Sequence, residues 1–394
     1  MNLNKPTFTL AGADAIARKG LIAGVIGFTI CVVAFFVDRE HFFFSYLTAF
    51  SFWATLALGA LFFVMVKHIT NARWSVAVRR MAETVMMNLP WLAILFAPVA
   101  FGVGALYHWS HAEAVAGDAM LQEKVGYLNL PFFFIRTGLY FAIWSFLTRY
   151  LYRVSLLQDT RPSETLIDRM RQVSASGMVL YALTLTFMAF DWLMSLDPHW
   201  YSTIFGVYVF VGGVIANLSF MTLISLALRK RGVMKEEITV EHYHDFGKLI
   251  FAFTAFWAYI AFSQYFLIWY GNIPEETAFY HDRWRGSWRY VSVLIGVGHF
   301  VAPFLLLITR AAKRNLRILT VASFWMLFMH WVDLYWLALP NFLEQGPSPS
   351  WIDLGAMLGV GGIFMWLFWS RFAAHPIVPV GDRRLDASFN FTNA

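Results

Sequence analysis

The sequence is poor in two things, cysteine and charge. Its 394 residues include one cysteine, and only 14% are charged. A lone thiol excludes an internal disulfide and a cysteine-ligated iron–sulfur cluster, which needs several thiolates. Cys31 lies among Ile30, Val32 and Val33 and reads as a buried, inert thiol. A soluble domain carries roughly a quarter charged residues, so this composition excludes an ordinary soluble fold. Nucleotide, phosphate and hydrolase motifs are also missing. Gly102-Val103-Gly104, Gly296-Val297-Gly298 and Gly359-Val360-Gly361 sit in lipid-spanning sequence without a βαβ context, so they read as close helix packing. Nor is a cleavable signal peptide visible: the first 19 residues are mixed and polar, and no small-residue cleavage site follows the first apolar run closely.

What fills the chain instead is apolar: 59% of residues are hydrophobic and 19% aromatic. A membrane-spanning helix needs about 20 predominantly apolar residues. Ten such runs occur, near 20–37, 42–66, 88–107, 130–148, 174–195, 202–228, 248–270, 288–309, 316–339 and 351–372. The reading is an all-α membrane protein with an arm over 1–19, a ten-helix domain over 20–372 and a tail over 373–394. The pI near 9.3 does not point to nucleic acid. Twenty-four of the thirty Lys and Arg fall on one side of the expected topology, whereas Arg39, Lys124, Arg283, Arg285 and Arg289 fall on the other, with Arg136 inside a helix. That asymmetry predicts both termini to be cytoplasmic, with the basic face meeting anionic lipid.

Pro90 and Pro98 predict kinks in helix 3, with neighbouring helices satisfying the freed carbonyls. The loop 149–173, with five arginines and three acids, reads as an amphipathic surface segment. A weak repeat relates Leu147-Thr148-Arg149 to Ile308-Thr309-Arg310, and Asp191-Trp192 to His330-Trp331. A four-helix shift preserves membrane orientation, so the repeat predicts two parallel four-helix bundles, helices 2–5 and 6–9, flanked by helices 1 and 10.

Ionisable residues within the apolar runs are the candidate chemistry, because each is expensive in lipid unless paired, protonated or hydrated. Arg136, Asp191 and Asp333 fall about one to two turns below the outer surface at a rise of about 1.5 Å per residue. His299 and His330 lie deeper. Tyr181, Thr184, Met188, Asp191 and Ser195 share one face of helix 5; Ser323, Met326, His330 and Asp333 share one face of helix 9; Ser292, Gly296 and His299 line up on helix 8. Thr254, Gln264 and Tyr265 mark helix 7 and Asn217 marks helix 6. The depths predict one outward-facing polar cluster of Arg136, Asp191 and Asp333.

Each group also has a plain structural reading. Arg136 and Asp191 fit a buried ion pair, His330 and Asp333 a packing hydrogen bond, and His299 a satisfied interior histidine. Asp197 before Pro198 reads as an N-cap. His242 and His244, two residues apart, do not face together as metal ligands would. Glu83 leads into helix 3 and Lys248 into helix 7, both near the expected cytoplasmic entrance. A single haem would have only His299 and His330 as axial ligands, and neither has a recognisable pattern of supporting residues around it.

Several stretches together resemble one family. They are Phe190-Asp-Trp-Leu-Met-Ser-Leu-Asp-Pro-His-Trp-Tyr-Ser-Thr-Ile-Phe-Gly206, Tyr243-His-Asp-Phe-Gly-Lys248, Phe262-Ser-Gln-Tyr-Phe-Leu-Ile-Trp-Tyr-Gly-Asn-Ile-Pro-Glu-Glu-Thr277 and Trp331-Val-Asp-Leu-Tyr335. The chain resembles the smaller NrfD/PsrC-like membrane subunit of bacterial alternative complex III, the ActF type, from helix 2 to helix 9. The resemblance implies a quinol:electron-acceptor oxidoreductase complex in a bacterial inner membrane. It implies as partners a larger NrfD-like subunit, an iron–sulfur subunit and multihaem cytochrome c subunits. Haem and iron–sulfur clusters would belong to those partners, leaving this chain without a redox centre. Because the quinol is usually assigned to the larger paralogue, the resemblance favours a proton pathway here: Asp191, Asp333, His330 and His299 as relay, Arg136 tuning the carboxylates, Glu83 and Lys248 at the entrance. Quinone contacts near the outer ends of helices 4 and 5 come second. A stand-alone proton-coupled transporter and a purely structural anchor are the readings of other classes; the transporter lacks a clearly interrupted pair of helices.

Overall fold

Backbone polar groups cannot be left open in lipid, and a helix satisfies them within its own segment. The computed structural model, which describes residue 8, residue 10 and residues 12–393, follows that rule with ten helices long and apolar enough to cross a bilayer. They are helix 1 (Ala13–Val37), helix 2 (Arg39–Thr70), helix 3 (Val76–Phe101), helix 4 (Leu130–Thr160), helix 5 (Glu164–Leu196), helix 6 (Phe205–Lys230), helix 7 (Val240–Gly271), helix 8 (Trp288–Leu307), helix 9 (Leu316–Asn341) and helix 10 (Trp351–Ala373). No strand occurs among the described residues. The chain is an all-α membrane protein.

Several helices outrun their apolar runs. Residues 149–173, expected as a surface segment, instead continue helices 4 and 5 and are broken only between Thr160 and Glu164. No Gly or Pro interrupts 149–161, and extending a helix that is already nucleated costs little; Pro162 then ends it. Helix 7 begins at Val240, eight residues before its apolar run, because Thr239 caps it: its hydroxyl accepts from the Glu241 N–H at 3.3 Å while its own N–H donates to His242 Nδ1 at 3.2 Å. His242 is therefore a capping residue. Helix 3 breaks at its prolines into Val76–Met86, Leu89–Leu95 and Ala97–Phe101. Neighbours take up freed carbonyls as expected, the Tyr46 hydroxyl donating to Leu95 O at 2.8 Å and Arg371 to Met87 O at 3.3 Å.

Helices 2–5 pack in sequence into a ring that closes with helix 5 on helix 2, and helices 6–9 form a second ring closed by helix 9 on helix 6. The two bundles meet where helix 2 crosses helix 6. There a Cβ on Gly59 would lie 2.3 Å from Gly213 O, so only glycine permits the approach. Helices 1 and 10 pair through an equally close crossing, a Cβ on Gly27 meeting Gly359 N at 2.1 Å, and helix 10 packs on helix 2.

Residues 374–393 do not trail away. They lie across the ends of helices 2–4: Ser388 Oγ donates to Trp74 O at 2.6 Å and accepts from the Ala77 N–H at 3.0 Å. This end of the molecule is the tail side, and the opposite end, with loop 197–204, is the far side. The arm expected over 1–19 lies partly outside the described residues. Phe8 stacks on Phe389 with ring centroids 6.0 Å apart, and helix 1 already begins at Ala13.

Candidate functional site

The far-side carboxylate of the first bundle is fully engaged. Arg136, on the second turn of helix 4, donates from Nε to Asp191 Oδ2 at 2.9 Å and from Nη2 to Oδ1 at 2.8 Å. Tyr140, one turn further along helix 4, donates to Oδ2 at 2.6 Å. The remaining guanidinium nitrogen donates to Tyr127 O at 2.9 Å, and the Arg136 guanidinium carbon sits 3.8 Å from the centroid of the Tyr127 ring. A two-pronged arginine–carboxylate pair with a third donor is among the strongest arrangements these groups make. Asp191 has no exposed surface.

Asp333 differs. It is also buried, but among the described residues its close hydrogen bond comes from the Tyr208 hydroxyl on helix 6, with the Trp257 indole on helix 7 as a second, longer donor. His299 Nδ1 stands 3.9 Å from Asp333 Oδ2, beyond hydrogen-bond reach. The expected cluster of Arg136, Asp191 and Asp333 is therefore two separate sites, one in each bundle. Depth alone placed them together; the bundle axes keep them apart.

Around Asp333 the second bundle holds several buried polar atoms without a protein partner. Both nitrogens of His299 are among them, as is His330 Nδ1. His299 sits in a π-helical stretch of helix 8, Ile295–Val301, and stacks on Trp257 with centroids 4.0 Å apart. One wide turn of this kind inside a membrane helix is frequent at functional sites. His330, one turn deeper than Asp333, makes one hydrogen bond among the described residues, Nε2 to Thr55 Oγ1 at 2.9 Å. Thr55 Oγ1 itself donates to Ser51 O at 2.7 Å, so the network assigns the proton to His330 Nε2 and leaves Nδ1 an open acceptor beside Gly212. His330 and Asp333 share a helix face without bonding to each other.

On the tail side, Glu83 is closed off. It has no exposure; its Oε2 accepts from Ser155 Oγ at 2.8 Å and Oε1 lies 2.9 Å from Arg79 Nε. Arg79 reaches on to Asp382 Oδ2 at 2.6 Å, and Lys67 and Arg384 meet the same oxygen at 3.4 and 2.8 Å. Burial opposes ionisation of Asp382, but Arg79, Arg384 and Lys67 outweigh it and hold the carboxyl well below the usual carboxylate range. Arg80 pairs with Asp159, whose other oxygen accepts from the Gly381 N–H at 3.2 Å. The tail thus seals the position expected as an entrance. Lys248 stands apart from Glu83, at the half-exposed start of helix 7. It pairs with Asp245 and donates to Asn393 Oδ1 at 2.7 Å.

Asp197 is not an N-cap. Helix 6 starts only at Phe205, and the Asp197 carbonyl accepts from the Trp200 N–H at 3.2 Å in a turn. Trp200 pulls the chain off the helix axis by burying itself against Phe279, ring centroids 3.9 Å apart.

No family model and no curated protein matches the chain. The site therefore has to be read from its own residues. Sequence reasoning missed Tyr140, Tyr208, Trp257, Thr55 and Asp382. Tyr140 was within reach, four residues after Arg136 on the same face, and so was Trp257, three after Thr254. Tyr208 gave no signal: helix 6 is buried on nearly all sides, so no face of it stands out.

Proposed function

We propose that this chain is the proton-handling membrane subunit of a quinol:electron-acceptor oxidoreductase complex, of the alternative complex III type, in a bacterial inner membrane with its tail side cytoplasmic. The observation that carries the reading is Asp333: a buried carboxylate with no cation in contact among the described residues and two histidines near it with unpartnered nitrogens. A bare charge there costs several kcal/mol with nothing to offset it. Such a group persists as a proton carrier, and intramembrane carboxylates with histidines mark proton relays. Asp333, His299 and His330 are the relay residues; water bridging the unpartnered atoms would complete the path. Arg136 and Asp191 hold the first bundle together, Glu83 belongs to the sealed tail-side network, and Lys248 is tied to Asp245 and Asn393 at the tail side.

Electrons would pass through partner subunits carrying haem and iron–sulfur clusters, beside a larger paralogue that takes the quinol. The four sequence stretches support that placement. One feature weighs against a transporter: the interrupted helices are 3 and 8, which do not occupy corresponding positions in the two bundles, whereas paired interruptions mark transporter sites.

The test is gentle detergent purification of the tagged protein from its native membrane, with proteomics, a visible spectrum and quinol-dependent acceptor reduction on one sample. Multihaem and iron–sulfur partners with quinol activity are expected. In that complex, Asp333→Asn lowers proton-linked turnover about a hundredfold or more, the scale of a removed proton-transfer group, while assembly is retained. A colourless, partner-free protein overturns the assignment, and wild-type turnover in Asp333→Asn makes the chain an anchor.

A further inference from the structure

The far side is poor in cations, and one of those it has stands without a polar partner. Lys124 donates to Pro198 O, Arg283 to Leu337 O at 2.9 Å and Arg289 to the Tyr290 hydroxyl at 3.0 Å, while Arg285 pairs with Asp282 at 2.9 Å. Arg39, at the start of helix 2, meets no carboxylate and donates to no oxygen among the described residues. Its guanidinium carbon lies over two rings instead, 5.1 Å from the centroid of Phe35 and 5.7 Å from that of Phe43. Glu40, next to it in the first turn, likewise has no cation in contact among the described residues. At an open surface water alone would satisfy such a pair, but these two side chains border cavities.

Two cavities meet at Arg39. One, of about 540 Å³, lies between the far-side halves of helices 1, 2 and 3 and is walled by Phe28, Phe35, Phe42, Tyr46 and Pro98. It opens toward lipid past Val32 and Phe101, which are 59% and 84% exposed on spanning helices. The Tyr46 hydroxyl is engaged by Leu95 O, so apart from Arg39 the cleft has no free side-chain N–H or O–H. The other cavity, of about 650 Å³, lies toward the far-side surface and is lined by Glu40, His108, His111 and Asn341. Arg39, Phe43 and Phe101 border both. The seven residues from Arg39 to Tyr46 give the apolar cleft a depth of roughly 10 Å at about 1.5 Å per residue. An apolar cleft thus runs into a polar chamber with a guanidinium at the junction.

That gradient selects an amphiphile. The cleft takes hydrocarbon, since an oxygen placed among its rings would find no partner. The guanidinium at its mouth takes an anion, and phosphate is a group whose geometry its fork matches. Glu40 then takes a cation, close by, because successive Cα atoms are about 3.8 Å apart. A phosphoethanolamine head group carries both charges two carbons apart. Phosphatidylglycerol would bring the phosphate but only uncharged hydroxyls for Glu40, and the quaternary ammonium of phosphatidylcholine has no N–H to donate. We propose that the cleft between helices 1, 2 and 3 holds one lipid of the phosphatidylethanolamine class, an acyl chain along Phe28, Phe35 and Phe42, the phosphate on Arg39 and the ammonium on Glu40. The site rests on the cleft and its two charges, and holds whether or not the chain belongs to an oxidoreductase complex.

The experiment uses the purified full-length chain. Native mass spectrometry reads the retention of dioleoyl phosphatidylethanolamine, phosphatidylglycerol and phosphatidylcholine, added singly and in competition. One phosphatidylethanolamine is expected to be held about tenfold more tightly than either of the others, the scale of one charge-assisted hydrogen bond. The same lipid with a diazirine in its acyl chain, photolysed in nanodiscs, is expected to label residues 28–46 and 98–101. Arg39→Gln weakens its retention about tenfold or more, and Glu40→Gln about three- to tenfold while ending the preference over phosphatidylcholine. Both side chains are exposed at a helix end, so the fold is kept. Val32→Trp, which grows into the cleft, lowers the retention of all three lipids. Equal retention of the three by the wild type, label scattered over the lipid-facing helices, or unchanged retention in Arg39→Gln shows ordinary lipid solvation and overturns the site. Displacement by free phosphoethanolamine at the strength of the lipid itself shows a water-filled head-group pocket and overturns the lipid. A photoreactive side chain at Val32 that joins a second polypeptide in the native membrane, instead of lipid, shows a helix-docking face and overturns it equally.

Discussion

Asp191 and Asp333 are the same residue type at the same depth in two bundles related by a weak repeat, yet they are held in opposite ways. Asp191 is matched by a two-pronged guanidinium and a tyrosine hydroxyl, and the tail-side end of its bundle is locked by a second ionic network around Asp382. Among the described residues Asp333 has a tyrosine hydroxyl, a tryptophan N–H, a histidine 3.9 Å away and no cation in contact. The comparison teaches that depth does not decide whether an intramembrane charge is functional. On the function proposed above, compensation does: a charge whose partner is built in serves as architecture, and one without a cation is the candidate to exchange protons.

The largest effect that could break this contrast is loss of the first-bundle pair. Arg136→Ala leaves Asp191 buried without its cation and should cost about 3–5 kcal/mol, the range for breaking a buried pair. The check is thermal unfolding in detergent, or yield of folded protein where the loss is too large to scan. Arg136→Met combined with Asp191→Leu should recover much of that loss, because replacing a buried pair by apolar side chains is often neutral. A single variant as stable as the wild type would mean that Asp191 is not held by charge, and the contrast with Asp333 would fall.

Asp382→Asn comes next, at about 2 kcal/mol, since hydrogen bonds to a charged group are lost while Arg79 keeps Glu83. Its pH dependence follows from the direction of the shift. The folded-state carboxyl titrates below its unfolded value, near 3.9, so the stabilisation is complete above about pH 4 and fades as the pH falls further. The stability gap between wild type and variant should be constant from pH 5 to about pH 8 and narrow below about pH 4. A gap that instead widens on acidification would show that the tail is not held by this carboxylate.

The fold was legible because bilayer physics writes it coarsely. Ten apolar runs, two prolines in helix 3 and the short repeat were enough for the all-α class and the two rings. Helix ends were not, because cost-free extension past the apolar core leaves no compositional mark, as residues 149–160 demonstrate. The Arg136–Asp191 pair could be anticipated, since both residues are rare in lipid and lie at one level. The separation of Asp333 from it could not, because depth carries no information about which bundle axis a side chain faces. The tail's role was hidden for a related reason: Asp382 contacts Lys67 and Arg79 across some three hundred positions of sequence.

The smallest effect separates the two sites most finely, because it makes the same atomic change in both. Tyr140→Phe removes one of three donors to Asp191, while the guanidinium keeps both oxygens engaged. The expected cost is about 1.5 kcal/mol, the low end for a hydrogen bond to a charged acceptor, with no change in proton-linked turnover. Tyr208→Phe removes the closer of two donors to Asp333, leaving the Trp257 indole. If that carboxyl is a proton carrier, its neutral form tolerates the loss at about 1 kcal/mol or less, the scale of an ordinary hydrogen bond. Turnover, however, should fall and its pH profile should move, because the hydroxyl is the closest group that positions the proton. Equal stability losses and equal activities in the two variants would mean that both carboxylates are architecture. Proton movement would then have to be sought outside the second bundle.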